Sequence, residues 1–172
     1  MPAGHSNSIF ESNRRAARDG EALLWGALCS EPSTVMEYIE KDCVVMNPLL
    51  HPDKSFEALT EDSDPSLSDA LEKLAISKHR WTSYVMHRHD PTPATANVEM
   101  CAVQIMYRMT LIRETTHRHH HHHHHHRHDD KAEEGKTSKP DLQKVDAFCT
   151  STWRQGSSGG WKLCSQQLIP TS

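Results

Sequence analysis

The side chains best suited to chemistry in this sequence are its histidines, most of which lie in one internal tract. Neutral imidazole groups at high local density chelate borderline divalent metals such as Ni²⁺, Cu²⁺ and Zn²⁺. Three interpretations stay open for the tract: a tolerated low-complexity repeat, adventitious metal binding, and a selected metal-binding or proton-sensing role. The consecutive candidate ligands are His119, His120, His121, His122, His123, His124, His125 and His126.

A second set of residues consists of candidate general bases. His51 and Asp53 follow the first predicted strand, and His87 lies near the end of the second, close to His89 and Asp90. A carboxylate or imidazole is tuned for acid/base chemistry inside an apolar cavity, where desolvation moves its pKa toward neutrality. An exposed cluster at a strand end is the competing interpretation of His87. The sequence contains no nucleophile elbow, P-loop or dinucleotide fingerprint, so no cofactor is expected.

Composition narrows the class of protein. A length of 172 residues with 35% hydrophobic content suits one core, so we expect a single domain over 1–172. The formal net charge of -4 offers no broad basic field for nucleic acid. No apolar run approaches the ~18 residues of a membrane helix, and residues 1–5 lack the features of a signal peptide. Five cysteines without a CxxC pair indicate buried thiols in a reducing compartment, so we expect a cytoplasmic protein without a membrane partner.

The order of periodic segments predicts the elements that position these residues. Helical spacing predicts helices over about 8–29, from Pro32 to about Lys41, and from Asp64-Pro65 onward. Alternation and β-branched composition predict strands near 43–46, 79–89, 97–112, 144–154 and 161–169. This order is typical of an α+β fold, with three N-terminal helices packed on one curved antiparallel sheet.

The strand predicted over 97–112 indicates which face of the sheet the helices cover. Residues of one parity are uniformly apolar, and we expect them to line a concave interior. Residues of the other parity mix Ala102 and Met106 with polar groups, so we expect this face to point outward. The predicted interior positions are Cys101, Val103, Ile105, Tyr107, Met109 and Leu111.

The histidine tract belongs to a longer polar stretch at about 114–143 that has almost no aliphatic residues. Such a segment buries too little apolar surface to offset the entropy cost of ordering it. We predict a disordered loop inserted between two hairpin strands, because the cost of closing a loop grows only slowly with its length.

The large aromatic side chains have two interpretations. Core packing accounts for each of them singly. Alternatively, Trp25, Trp81 and Tyr107 line a pocket for a flat apolar or aromatic ligand, with Met46 as an adaptable filler.

The C-terminal residues carry a resemblance to a known family. Two alternating runs flank a Gly/Ser cluster, which predicts a β-hairpin. The pattern Ser151-x-Trp153-Arg154, Gly159-Gly160-Trp161-Lys162-Leu163, Gln166-Gln167, Pro170 resembles the C-terminal hairpin of the nuclear transport factor 2-like superfamily, in its SnoaL-like branch. The segments 21–28, 42–46, 81–84 and 107–113 are similar to that family's first helix, first strand and middle strands.

This resemblance implies a cone-shaped domain and a homodimer formed through the outer sheet face. Gln166 stands where the family commonly has His, which removes a titratable group. Ser165 stands where a large apolar residue is common, which enlarges the space that this side chain borders.

Fold alone does not give a reaction, because the same cone hosts isomerases, dehydratases, cyclases and catalytically silent dimer modules. The leading hypothesis is a dimeric small-molecule-binding module without catalysis. The second is a cofactor-independent lyase or isomerase that uses His51, Asp53 or His87 as its base. The third is a metal-binding or interaction protein built on the histidine tract. A buried carboxylate or His in the interior would favour the enzyme, and a closed, wholly apolar interior would favour a structural module.

Overall fold

A computed structural model describes residues 4–50, 57–87, 102–115 and 141–171, with side chains from residue 9 onward. Three helices pack on one five-stranded sheet, which confirms the predicted α+β class. The helices are α1 (Gly4–Ser30), a 3-10 helix (Pro32–Tyr38) and α2 (Leu67–Ile76). The strands are β1 (Ile39–Met46), β2 (Ser83–His87), β3 (Ala102–Thr115), β4 (Asp141–Gln155) and β5 (Trp161–Pro170).

The sheet is mixed, so the prediction of an antiparallel sheet is wrong for one strand. The strand order is β1-β5-β4-β3-β2, and β1 runs parallel to β5, with Val44 opposite Ser165 and Met46 opposite Gln167. A parallel pair requires a long connection, and most of the domain lies between these two strands in the chain. The predicted pairing of the last two strands is confirmed, since β4 and β5 are antiparallel neighbours.

Helix α1 covers the concave face of the sheet with one stripe of side chains. Ala17, Leu24 and Leu28 are buried at helical spacing. Gly20 lies so close to β4 that a Cβ atom there would be 2.7 Å from the ring of Trp153. The missing side chain therefore lets the helix backbone approach the sheet closely.

The 3-10 helix begins at the predicted Pro32, whereas α2 begins at Leu67, after the predicted opening at Asp64-Pro65. The Ser66 hydroxyl accepts a hydrogen bond from the backbone N–H of Asp69 at 3.2 Å and so caps α2. The 3-10 helix begins at Pro32 but ends at Tyr38, short of the predicted Lys41. Because Ile39 already pairs with Leu163, tertiary pairing outweighs the helical periodicity, and β1 begins before Cys43.

Strand β3 has the predicted parity, with Val103, Met109 and Leu111 buried. Its pairing with β4 continues to Thr115 and Asp141, so the strand ladder enters both ends of the loop predicted over 114–143. The remainder of that loop, 116–140, lies outside the described residues. In the described part of the chain, no helix has the length and apolarity needed to cross a membrane.

Candidate functional site

A carboxylate lies in the centre of the protein interior. Glu21 occupies the buried stripe of α1 and is 0% exposed. The Tyr107 hydroxyl donates to its Oε1, and the Ser151 hydroxyl donates to the same oxygen at 2.7 Å. The indole N–H of Trp153 donates to Oε2 at 2.6 Å. Helix α1 thus places the Glu21 carboxyl beside three hydrogen-bond donors on the inner face of β3 and β4.

Longer contacts extend this group toward β5 and β1. The Cys149 thiol lies 3.7 Å from Oε1 of Glu21, and the Gln166 amide nitrogen lies 3.5 Å from it. The side-chain amide of Asn47 donates to Oε1 of Gln166 at 3.4 Å. The indole N–H of Trp25 donates to the Tyr107 hydroxyl at 2.5 Å. We call these residues the Glu21 cluster: Glu21, Trp25, Asn47, Tyr107, Cys149, Ser151, Trp153 and Gln166.

The groups around Glu21 are hydrogen-bond donors. Every contact to its carboxyl comes from a side chain able to donate. Burial, followed by the charge of Glu21, raises the pKa of Tyr107 well above its usual range. Burial and Glu21 likewise raise the pKa of the Cys149 thiol. Both groups therefore stay protonated, and remain donors, at neutral pH.

The inner face of β3 is not sealed equally along its length. Ile105 and Tyr107 each retain 8% exposure, whereas Val103, Met109 and Leu111 on either side retain 1% or less. Ile105 and Tyr107 therefore keep the most solvent contact among the described inner apolar side chains of β3.

Three of the four predicted ligand-binding residues lie in the same core. Trp25, Trp81 and Tyr107 are buried, although Trp81 precedes β2 instead of lying within it. The indole N–H of Trp81 donates to the backbone oxygen of Leu49 at 3.3 Å. Met46 is 38% exposed and points to the outer face, so the structure does not bring it together with the three aromatic residues.

The predicted bases are separated from the Glu21 cluster or fall outside the described ranges. His87 is exposed at the end of β2, and its Nε2 lies 2.7 Å from the Thr110 hydroxyl. That hydroxyl donates to Oδ1 of Asp146 at 2.5 Å, which forms a polar chain on the outer face. His51, Asp53 and the tract His119–His126 lie outside the described residues.

Metal ligands are not grouped in the part of the chain that the structure describes. No three His, Cys, Asp or Glu side chains within it could hold a metal ion together. The proposal of weak metal binding by the histidine tract concerns other residues and stays a prediction.

Sequence reasoning missed the Glu21 cluster, although two signals were present. Glu21 lies four residues after Ala17 and four before Trp25, which places an acid in an otherwise apolar helical stripe. Ser151 has the same parity as Cys149 and Trp153, so a hydroxyl faces the interior from β4. A buried charge needs buried partners, and reading the helix and the strand together would have found both.

Comparisons with known proteins support the fold. Neither a protein-family model nor a curated protein matches the sequence. Among solved structures, the chain is similar to a candidate dehydratase of the NTF2-like family from Streptomyces avermitilis, with a TM-score of 0.63 and 8% identity over 94% of this chain and 97% of that one. It is also similar to ActVI-ORFA from Streptomyces coelicolor, with a TM-score of 0.58 and 9% identity over 92% and 96% of the two chains.

A third structure is an NTF2-like superfamily protein from Salmonella enterica serovar Typhimurium strain LT2, with a TM-score of 0.56 and 8% identity over 97% of this chain and 94% of that one. At these identities the likeness is one of fold, and it spans nearly the whole of each chain. The fold implied by the resemblance of the terminal hairpin is therefore confirmed, and the protein has the nuclear transport factor 2-like fold.

Proposed function

We propose that this protein is a dimeric small-molecule-binding module that does not catalyse a reaction on its ligand. The observation that carries the proposal is the burial of Glu21 among protein donors. Glu21 is 0% exposed, and five side chains of the described residues contact it, four at Oε1 and the Trp153 indole at Oε2. A general base must reach the proton of its substrate, and this acid is enclosed by the protein groups that donate to it.

The other titratable groups of the cluster support the same proposal. Tyr107 and Cys149 have raised pKa values, so neither readily loses a proton at neutral pH. Gln166, which occupies the position of the family's common His, has a side chain that does not titrate. Its amide lies 3.5 Å from Glu21 and 3.4 Å from the Ser151 hydroxyl, so it extends the donor network.

The proposed ligand class follows from the side chains around Tyr107. Tyr107 and Ile105 lie at the middle of β3, and Trp25 bonds to the Tyr107 hydroxyl from α1. These walls suit an uncharged aromatic or apolar molecule, which gains free energy by burial. An anionic ligand would be disfavoured because Glu21 places a negative charge in the same interior.

Fluorescence titration tests the binding proposal. Uncharged aromatic probes such as 2-naphthol should quench tryptophan emission in the wild type, and Tyr107→Ala should bind them at least tenfold more weakly. Tyr38→Ala, in the 3-10 helix, is the matched control and should bind like the wild type. Circular dichroism must show both variants folded; if Tyr107→Ala is unfolded, the milder variant Ile105→Ala takes its place. Absence of saturable quenching in the wild type would overturn the proposal.

A cofactor-independent lyase or isomerase is the second candidate function, and one observation favours it. A buried carboxylate in the interior favours an enzyme, and Glu21 is such a group. One structurally similar protein is described as a candidate dehydratase. An elimination or isomerisation whose rate collapses in His51→Ala, Asp53→Ala or His87→Ala would establish this function and contradict binding without turnover.

The proposed protein partner is a second copy of the chain, bound through the outer sheet face. This face carries a row of half-exposed apolar side chains beside polar ones, as interfaces between subunits do. Sedimentation at micromolar concentration should show a dimer. A single species of 19.5 kDa across the accessible concentration range would contradict it.

A further inference from the structure

The outer face of the sheet combines exposed apolar side chains with charges of both signs. The apolar members are between 38% and 56% exposed, and they are spread over all five strands. They are Val44, Met46, Val85, Met106, Leu142, Phe148 and Ile169. Monomeric proteins seldom leave so many large apolar side chains exposed on one face, which indicates a docking surface.

Arg108 lies near the centre of this face. Its guanidinium group lies over the ring of Phe148, with the Cζ atom 4.7 Å from the ring centroid. This cation–π contact holds the cation against the outer face of the sheet. Ile169 is the neighbour of Phe148 on β5, so the cation stands beside apolar side chains.

Asp146 is the opposite charge on the same face. Register places Arg108 opposite Phe148 and Thr110 opposite Asp146, so Arg108 and Asp146 are diagonal neighbours, with Cα atoms about 7–8 Å apart. In the described ranges, neither side chain forms an ion pair, and Asp146 accepts a hydrogen bond from the Thr110 hydroxyl. By contrast, Arg154 and Asp42, also on this sheet, already pair with each other at 2.9 Å.

Symmetry makes this arrangement self-complementary. In a face-to-face dimer the two-fold axis lies in the plane of the interface, and each subunit presents the same patch. An axis that passes midway between Arg108 and Asp146, perpendicular to the line joining them, sets each charge against its opposite. A strongly acidic or strongly basic partner would meet unfavourable as well as favourable charges on this face, so the face fits a second copy better than either.

We infer that the outer faces of two copies dock with Arg108 of each subunit against the partner subunit's Asp146, around the apolar side chains of the patch. This inference rests on the proposed dimer and adds the contact that sets its register. The Thr110 hydroxyl orients the Asp146 carboxylate, and the Phe148 ring orients the Arg108 guanidinium, so both partners are positioned before docking.

Charge reversal tests the inference by complementation. Arg108→Glu and Asp146→Arg should each raise the dimer dissociation constant at least 30-fold, because like charges then face each other at both contacts. Mixing the two variants should restore a dimer, since a heterodimer of one with the other has an acid against a base at both positions. Analytical ultracentrifugation of each variant alone and of an equimolar mixture gives the three dissociation constants.

The matched controls are Lys73→Glu and Glu72→Arg, which make the same charge changes on exposed positions of α2. Neither should alter dimerisation. A wild-type dimer whose dissociation constant is insensitive to the reversals, or whose reversals are not rescued by mixing, overturns the Arg108–Asp146 contact and leaves the dimer standing. A wild type that stays monomeric instead contradicts the proposed dimer itself.

Discussion

Two carboxylates on opposite faces of the same sheet show how burial decides the role of a polar group. Glu21, on the inner side, is fully buried and accepts hydrogen bonds from side chains of three strands. Asp146, on the outer side, is exposed and accepts one from the Thr110 hydroxyl among the described side chains. Both acids are held by a hydroxyl, yet only the outer one keeps lone pairs available to another molecule.

The difference separates stability from recognition. Water cannot replace the hydrogen bonds of a buried acceptor that loses its donors, or of buried donors that lose their acceptor. Disturbing the inner group therefore costs much free energy of folding. Water replaces lost contacts at the outer group, so its removal changes the fold little. The inner cluster therefore fixes α1 on the sheet, and the outer pair of charges is free to select a partner.

The largest expected effect comes from removing the inner acid. Glu21→Ala leaves the buried donors of Tyr107, Ser151 and Trp153 without a hydrogen-bond acceptor. The free energy of unfolding should therefore fall by about 3–5 kcal/mol. Asp146→Ala, the matched outer change, should cost less than about 1 kcal/mol. Urea denaturation at a protein concentration below the dimer dissociation constant gives both values for the isolated subunit. Equal losses in the two variants would show that burial does not separate the two groups.

A purely apolar pair of positions tests the same inner and outer distinction on helix α2. Leu71→Ala should lower the free energy of unfolding by about 2–5 kcal/mol, through lost burial and the cavity left behind. Ile76 on the same helix is 90% exposed, so Ile76→Ala should change it by less than about 0.5 kcal/mol. Thermal unfolding of both variants is the measurement. A Leu71→Ala protein as stable as the wild type would mean that α2 packs through another face.

The sequence predicts much of this contrast between inward-facing and outward-facing residues, because periodicity is a local property. Alternation along β3 predicts which residues face inward, and Val103, Met109 and Leu111 are buried as expected. The stripe of α2 predicts the burial of Leu71 and Leu74 in the same way. Such patterns depend on neighbours a few residues away.

The parts that failed depend on distant partners. The direction of β1 is set by pairing with β5, and Ile39 joins the strand because Leu163 is beside it. Glu21 meets Ser151, which lies far along the chain, so neither segment alone shows that an acid and a hydroxyl share the interior. Met46 illustrates the same limit, since only the strand's register shows that it points outward.

The close approach of α1 to the sheet gives a smaller, sharply matched prediction. A methyl group at residue 20 would lie 2.7 to 3.1 Å from atoms of the Trp153 ring, so Gly20→Ala should cost about 1–3 kcal/mol of stability. Gly26, two turns along the same helix, has no atom within 4 Å of an added Cβ. Gly26→Ala should therefore stabilise the protein by up to about 1 kcal/mol through its higher helix propensity. Thermal unfolding of the two variants is the measurement. A change in stability of the same sign in both variants would contradict the close contact between Gly20 and Trp153.

The smallest expected effect is a pH dependence that originates on the inner side of β1. Burial raises the pKa of the Cys43 thiol from 9.0 to about 12, so the folded protein holds this proton more tightly than the unfolded chain. The stabilisation is fully present below pH 9 and is lost as the pH rises from there toward 12. Between pH 8 and 10.5 the wild type should lose roughly 1–2 kcal/mol more stability than Cys43→Ala, in which this proton is absent. Urea denaturation across that range gives the slope of the free energy of unfolding against pH for both proteins. The other titrating side chains are the same in both. Parallel slopes would therefore show that burial does not hold Cys43 protonated.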